Sequence, residues 1–270
     1  MAKRFFAALA ALLLIVLPAL GELTVERTEG EAYFPNEQKW VYHFTYAYPH
    51  VAGEDYTAAL INDTYQMALD EMTHLVLPMF ANAADMRFDG RNEVNHDFEV
   101  TCNDGRLLSI LLRRSQTMGA EGVRYSLEPL TFDVSGVFAG ETLTLRGVVL
   151  VQAGVDPEEL EEVLPQDYPG FAALIDGSST MLGEALLPVL YREFTALQTA
   201  GTIAPQWTEE DFTLEFSPTR DFYANDRGEI VFFFPPQLMT EPSLDAPAFA
   251  FTPAQLEALL EESEGIEENQ

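Results

Sequence analysis

The chain has 270 residues with 44 acidic and 14 basic side chains, which give a formal net charge of −30 at pH 7. Nucleic acids and anionic lipids are bound through basic side chains, so this composition argues against either as a partner. It favours a cationic partner, although a surface adapted to solvent or salt explains the same charge equally well. Hydrophobic residues make up 47% of the chain, which is enough for a folded core.

Residues 1–21 have the pattern of a secretory signal peptide. Lys3 and Arg4 precede an unbroken apolar run over 5–20, and small residues surround the end of that run. The run is shorter than the roughly 20 residues that cross a bilayer, so we predict cleavage before Glu22 rather than a retained anchor. Loss of the two cations changes the charge from −30 to −32. We expect a secreted or extracytoplasmic protein of the cell envelope, with no membrane contact after cleavage.

Cys102 is the only cysteine, so no disulfide forms within the chain and stability must come from the core. Its neighbours Asn103-Asp104-Gly105 are typical of a hairpin turn, which places Cys102 at the end of a strand. We expect an unreactive thiol there, either buried or in the turn itself.

The part of the chain up to residue 150 predicts strands around one helix. Acidic residues at Gly53-Glu54-Asp55 favour a helix start, and apolar spacing continues to about Leu77, where Pro78 disturbs it. Residues 79–92 favour neither state. Strands are predicted at 22–32 (or a tether), at 39–48 with Pro49 ending the strand, at 96–102, at 107–114, at 123–133, and at 142–149 (or the start of a connection).

The composition changes at Asp156, where Asp156-Pro157-Glu158 predicts a helix start. The later elements are a helix over 182–197, an alternating strand over 212–216, a hairpin through 225–228 that stops at Pro235-Pro236, a short strand with Phe249 and Phe251, and a helix over 253–262. The fold class is therefore α+β, with antiparallel sheets packed against a few helices. We predict a unit over 22–150, a second over 151–262, and an acidic tail over 263–270.

Several short motifs follow one another along the chain: Tyr48-Pro49, Ile61-Asn62, Leu108-Ser109, Phe132-Asp133 with Gly136, Phe222-Tyr223, Asn225-Asp226-Arg227-Gly228, and Phe249-Ala250-Phe251 with Leu256. Their order and spacing resemble the extracytoplasmic region of RsiV, the anti-sigma-V factor, with the smaller domain that also accompanies PdaC-type peptidoglycan deacetylases. The loop Gly119-Ala120-Glu121-Gly122 lacks a histidine that the family often carries. The resemblance implies an RsiV-like C-terminal domain and a surface that recognises lysozyme, a cationic protein.

A search for chemistry gives no catalytic constellation, metal site or cofactor motif. Glu71 and His74 have a Glu-x-x-His spacing, but one pair is too few for zinc, so a surface glutamate and a packed histidine are expected. Glu209-Glu210-Asp211 favours a helix start or a solvated face over an acid/base dyad. We therefore predict that the protein is not an enzyme.

Aromatic residues remain as candidates for binding. On a strand, Trp40, Tyr42, Phe44, Tyr46 and Tyr48 share one face. That face either packs on the helix predicted over 55–77 or forms a platform for a sugar or a protein. With Tyr223 of the resemblance, these residues are the candidate binding set.

The leading hypothesis is thus an exported binding or sensing module of a bacterial cell envelope, for lysozyme, another cationic protein or a cell-wall glycan. An enzyme or accessory of peptidoglycan metabolism is the first alternative, and a secreted structural protein whose acidity serves solubility is the second.

Overall fold

A computed structural model describes residues 21–35, 41–84, 92–117, 122–136, 138–155 and 177–267. The chain forms a five-stranded sheet, a separate three-stranded sheet and helices on both, so the predicted α+β class is confirmed. The proposed signal peptide, most of the glycine loop at 119–122 and the helix start at Asp156 lie outside the described residues. Within the described ranges, no helix is long and apolar enough to cross a membrane.

The larger sheet has the strand order β1-β2-β3-β4-β5. Its strands are β1 (Val25–Phe34), β2 (Tyr42–Val51), β3 (Asn92–Asn103), β4 (Leu107–Thr117) and β5 (Val123–Asp133). Neighbours are antiparallel except β2 and β3, which run parallel. A helical connection between those two strands returns the chain to the same end of the sheet, which is what a parallel pair requires. The sheet is therefore mixed rather than purely antiparallel.

The prediction that Pro49 ends its strand is wrong, because β2 continues to Val51. The pairing of β2 with β3 stops at Tyr46, whereas the pairing with β1 includes Pro49 opposite Arg27. The missing N–H of a proline breaks no ladder bond on a side where no strand lies.

The helical connection has three parts: α1 (Tyr56–Asp70), a π-helical segment (Glu71–Val76) and α2 (Leu77–Ala84). Asp55 caps the start of α1, since its side chain accepts a hydrogen bond from the Ala58 N–H. Pro78 does not end the helix. The π segment before it already departs from α-helical bonding, and the Leu77 N–H bonds to the Met72 carbonyl five residues earlier.

Two segments with strand-like patterns are helices. Residues 142–149, predicted as a strand or the start of a connection, contribute to α3 (Leu145–Ala153), which Thr144 caps and Gly154 ends with a φ of 80°. Residues 212–216 fall in α5 (Glu209–Glu215), where Thr208 and Asp211 form a capping box. The Val-Val-Leu-Val run of α3 is buried, and an all-apolar helix has no periodicity to separate it from a buried strand.

The remaining elements form the second layer of the molecule. The long helix α4 (Gly177–Thr199) covers the predicted 182–197, and α6 (Pro253–Glu267) extends beyond the predicted end at Glu262. The smaller sheet contains β6 (Phe222–Ala224), β7 (Ile230–Phe233) and β8 (Ala248–Phe251), all antiparallel. A short 3₁₀ turn, Pro236–Leu238, follows β7 where Pro235-Pro236 was expected to stop it.

Two hydrophobic cores result. The first lies between one face of the larger sheet and the helices α1 and α2. The second joins α3, α4, α6 and the smaller sheet, and it also includes Cys102 and Leu107 from the larger sheet. A buried polar contact links the two sheets, because the Ala224 N–H of β6 donates to Ser109 Oγ of β4 over 3.2 Å.

Candidate functional site

The predicted aromatic face is mostly core. Tyr42, Phe44 and Tyr48 are buried under the α1–α2 segment, and the Tyr48 and Tyr65 rings lie 6.4 Å apart. Tyr46 is half-buried and lies over Gly30, where an added Cβ would come within 2.3 Å of its hydroxyl oxygen. Trp40 lies outside the described residues. As placed, these side chains pack on the helix rather than present a platform.

A buried polar pair lies on this face. The Tyr48 hydroxyl and His96 Nδ1 share a hydrogen bond of 2.7 Å. Burial, helped by the nearby positive charge of Arg114, lowers the pKa of His96 to about 3. Burial also raises the pKa of Tyr48 to about 12. Both groups are therefore neutral at pH 7, which suits a structural lock and not proton transfer near neutrality.

Tyr223 lies elsewhere. It is half-buried in β6, and burial raises the pKa of its hydroxyl. The charged groups near it are Glu99 and Arg113. Along β4, Arg113 occupies the opposite face from Arg114, whose register partner is His96. The structure thus does not bring Tyr223 together with the β2 aromatics.

The residues that carry the family resemblance have structural roles. Asn62 clamps the end of β2, accepting from the Val51 N–H (2.7 Å) and donating to its carbonyl (2.9 Å). Asp133 accepts backbone N–H bonds from 135, 136 and 138, and an added Cβ at Gly136 would lie 2.4 Å from its carboxylate. Such motifs report a fold rather than a ligand.

Groups with reactive or metal-binding chemistry are few. Cys102 is buried, as one of the two expected alternatives required, and burial raises the pKa of its thiol to about 12. His74 is exposed rather than packed and lies 3.8 Å from Asp70. Within the described ranges, no three His, Cys, Asp or Glu side chains are placed to hold a metal ion.

A groove of about 460 Å³ with mixed polarity lies beside β5. We call it the β5 groove. Its lining comes from three separate stretches of chain: Ser126, Leu127, Glu128 and Pro129 of β5; Leu214, Glu215, Arg220 and Asp221 around the end of α5; and Phe233, Pro235, Pro236 and Gln237 after β7. The groove therefore lies where the two sheets meet.

An open strand edge forms one wall of the groove. β5 is the last strand of its sheet and pairs only with β4 among the described strands. The outward backbone N–H and carbonyl groups of an edge strand can pair with an added strand. Pro129 removes one such donor, and the outward groups of Thr131 and Asp133 already bond to Leu143 and Glu141. By alternation, Leu127 is the groove residue of β5 whose backbone N–H and carbonyl point outward.

The opposite wall combines an apolar side chain with carboxylates. Leu214 projects from α5 with 73% of its surface exposed. Glu215 accepts a hydrogen bond from Gln237 over 2.9 Å. Arg220 is held by the Asp221 carboxylate through bonds of 2.8 and 2.7 Å. The lining is thus net negative, since three carboxylates face one committed guanidinium.

Arginines across the described surface are paired in the same way. Each of seven contacts at least one carboxylate: Arg27 with Glu29 and Asp97, Arg106 with Asp104, Arg113 with Glu99 and Asp245, Arg114 with Glu128, Arg146 with Glu257, Arg192 with Glu193, and Arg220 with Asp221. Paired cations screen only their own partners, so the excess of carboxylates remains available to an outside cation.

No family model and no curated protein matches the chain. Similar solved structures include a DUF3298-family protein of Bacteroides fragilis, with a TM-score of 0.46 and 14% identity over 91% of this chain and 99% of that chain. A DUF3298-family protein of Pseudomonas aeruginosa has a TM-score of 0.45 and 14% identity over 88% of this chain and 94% of that chain. Similarity at this level assigns neither a family nor a function.

Proposed function

We propose that the protein is an exported binding or sensing module of the cell envelope that recognises a cationic protein. The observation that carries the proposal is the charge distribution: seven arginines are already paired with carboxylates, and the chain still has a net charge of −30. Such a surface accelerates encounter with a positive partner and disfavours negative ones. The resemblance to the RsiV extracytoplasmic region makes lysozyme the first partner to test.

The β5 groove is the proposed point of engagement. An extended basic segment of the partner can pair with the free edge of β5 while an apolar side chain contacts Leu214. Glu215 then faces the partner's cations, while Glu128 stays paired with Arg114. Broad electrostatic attraction brings the partner to the surface, and the strand edge gives the contact its register.

Calorimetric titration of the purified protein with lysozyme, at about 0.1 M and about 1 M salt, tests the proposal. The Debye length falls from about 10 Å to about 3 Å between these conditions, so we expect affinity to fall at least roughly tenfold. Lysozyme with succinylated lysines keeps its polypeptide chain, but its lysine side chains become negative instead of positive. This modified lysozyme should not bind. Equal affinity at both salts would remove the electrostatic argument.

Matched variants locate the contact. Glu215→Gln removes one charge in the groove, and Glu184→Gln removes one exposed charge on α4 away from it. We expect the first to weaken lysozyme binding by about threefold to tenfold and the second to have little effect. Equal losses would show that net charge alone matters. Turnover of peptidoglycan fragments by the purified protein would replace this proposal with the enzyme alternative.

A further inference from the structure

A line of large apolar side chains is exposed along the α1–α2 segment. Tyr56, Met67, Leu75 and Met79 are 73%, 66%, 59% and 54% exposed. We call these four residues the apolar stripe. Single exposed hydrophobic residues are ordinary, but an aligned set on one helical surface is typical of an interaction site.

The π-helical segment creates the alignment. In an α-helix each residue advances about 100°, so Tyr56 and Met67 lie within about 20° of each other. A continuous α-helix would place Leu75 about 80° and Met79 about 120° away from Met67. The wider π turn between Glu71 and Val76 absorbs one residue and turns the later positions back by about 100°. Leu75 and Met79 then fall within about 20° of Met67.

The stripe is not the side that the sheet covers. Ile61, Tyr65, Leu77 and Ala81 of the same segment are buried in the first core. The π turn therefore keeps two surfaces in register at once, an inner one for the core and an outer one for solvent. Between Tyr56 and Met79 the outer surface is about 35 Å long, which matches a partner helix of about 20 residues.

Carboxylates lie among the stripe residues and restrict which kind of partner can bind the stripe. Asp63, Asp70 and Glu71 are exposed on the same segment. A second copy of this chain would place these charges against their equivalents, and an anionic membrane would be repelled by them. A helix with an apolar face and flanking cations satisfies both the stripe and the carboxylates. We propose that the stripe docks a cationic amphipathic helix of a partner protein.

Side-chain chemistry suits that occupant. Methionine is flexible and polarisable, so Met67 and Met79 can adapt to different apolar partners. Apolar anchors spaced at i, i+3, i+4 and i+7 on the partner are the usual way that a helix binds such a surface. This site is separate from the β5 groove, because none of the stripe residues lines the groove.

A fluorescent synthetic peptide of about 20 residues, with leucines on one helical face and lysines on the other, is the probe. We expect saturable binding measured by anisotropy, with helix formation by circular dichroism on mixing. The double variant Met67→Ser/Leu75→Ser should weaken binding at least tenfold. The matched variant Met181→Ser removes an exposed methionine from α4, away from both the stripe and the β5 groove, and should bind normally.

Other outcomes would overturn the inference. Equal loss of peptide binding in Met181→Ser and in the double variant would mean that general hydrophobicity binds the peptide, and no loss in the double variant would mean that the peptide binds elsewhere. A peptide with the same composition in scrambled order should bind at least tenfold more weakly. Equal binding would show that the charge of the peptide alone accounts for its affinity. Sedimentation that finds a dimer lost only in Met67→Ser/Leu75→Ser would make a second copy the occupant. Unchanged lysozyme binding by that variant keeps this test separate from the proposed function.

Discussion

Ser109 is predicted to hold the two sheets together through one buried hydroxyl. Its Oγ shares a hydrogen bond of 2.8 Å with Thr131 Oγ1 and accepts one of 3.2 Å from the Ala224 N–H. Ser109 is fully buried and Thr131 is nearly so. Ser109→Ala leaves an amide and a hydroxyl without this partner in a dry environment. Because each of these two orphaned groups costs about 1–3 kcal/mol, we expect the free energy of unfolding to fall by about 2–6 kcal/mol.

Urea denaturation followed by tryptophan fluorescence measures this loss, and a double-mutant cycle tests its cause. Thr131→Val removes the second hydroxyl while keeping the shape of the side chain. In the double variant only the Ala224 amide is left without its partner, so the loss should be smaller than the sum of the single losses by at least about 0.5 kcal/mol. Ser115→Ala, on the same strand but partly exposed, is the control. A Ser109→Ala loss below about 0.5 kcal/mol, or strict additivity, would refute the reasoning.

Three further predictions concern buried groups. Because burial raises the pKa of Cys102 to about 12, a thiol reagent at pH 8 should label it only after unfolding, and fast labelling of native protein would contradict its burial. The pKa of His96 in the folded protein, about 3, lies below its value in the unfolded chain, so the free energy of unfolding falls as pH drops from about 6.5 towards 3. His96→Gln should therefore reduce the pH slope of the free energy of unfolding between pH 5 and 6 by about 1 kcal/mol per pH unit. An unchanged slope would refute this. Gly136→Ala should lower thermal stability because its Cβ meets the Asp133 carboxylate at 2.4 Å, whereas Gly122→Ala, with open space around it, tests the strain of positive φ alone.

Local chemistry predicted several elements well. Asn103-Asp104-Gly105 ends β3 and begins the hairpin to β4, and the bounds of β5 agree with the alternation over 123–133. The acidic start at Glu209-Glu210-Asp211 is a capped helix start. These features depend on residues within a few positions of one another, so a sequence contains the information that forms them.

Packing decided between helix and strand where the local sequence pattern fitted both. Phe212 and Phe216 are both buried, and a spacing of four residues fits one turn of a helix as well as alternation fits a strand. The helix prevailed because Phe212 and Phe216 stack on each other and both meet the Phe234 ring edge-on in one aromatic cluster. That cluster joins positions that are about 20 residues apart, beyond the reach of a periodicity argument.

Neither proposed binding surface was visible in the pattern of residues. The β5 groove combines three stretches that are distant in the sequence, and the one local signal was an apolar Leu214 in an otherwise acidic segment. In the apolar stripe, a regular helical count separates Leu75 and Met79 from Met67, and only the π turn aligns them. The aromatic face of β2 was visible in the sequence as a candidate surface, but its composition permits either a core or a binding platform. In the structure the α1–α2 segment covers this face, so it is core.

The sequence by itself determined the α+β class, the turn at Asn103-Asp104-Gly105 and the acidic helix starts, because each follows from composition or from neighbouring residues. Tertiary structure decided which faces are buried, where Pro49 can lie within a strand, and which side chains meet at the β5 groove. Burial depends on contacts between distant segments, and a one-residue change of register or helical phase moves a side chain from core to solvent.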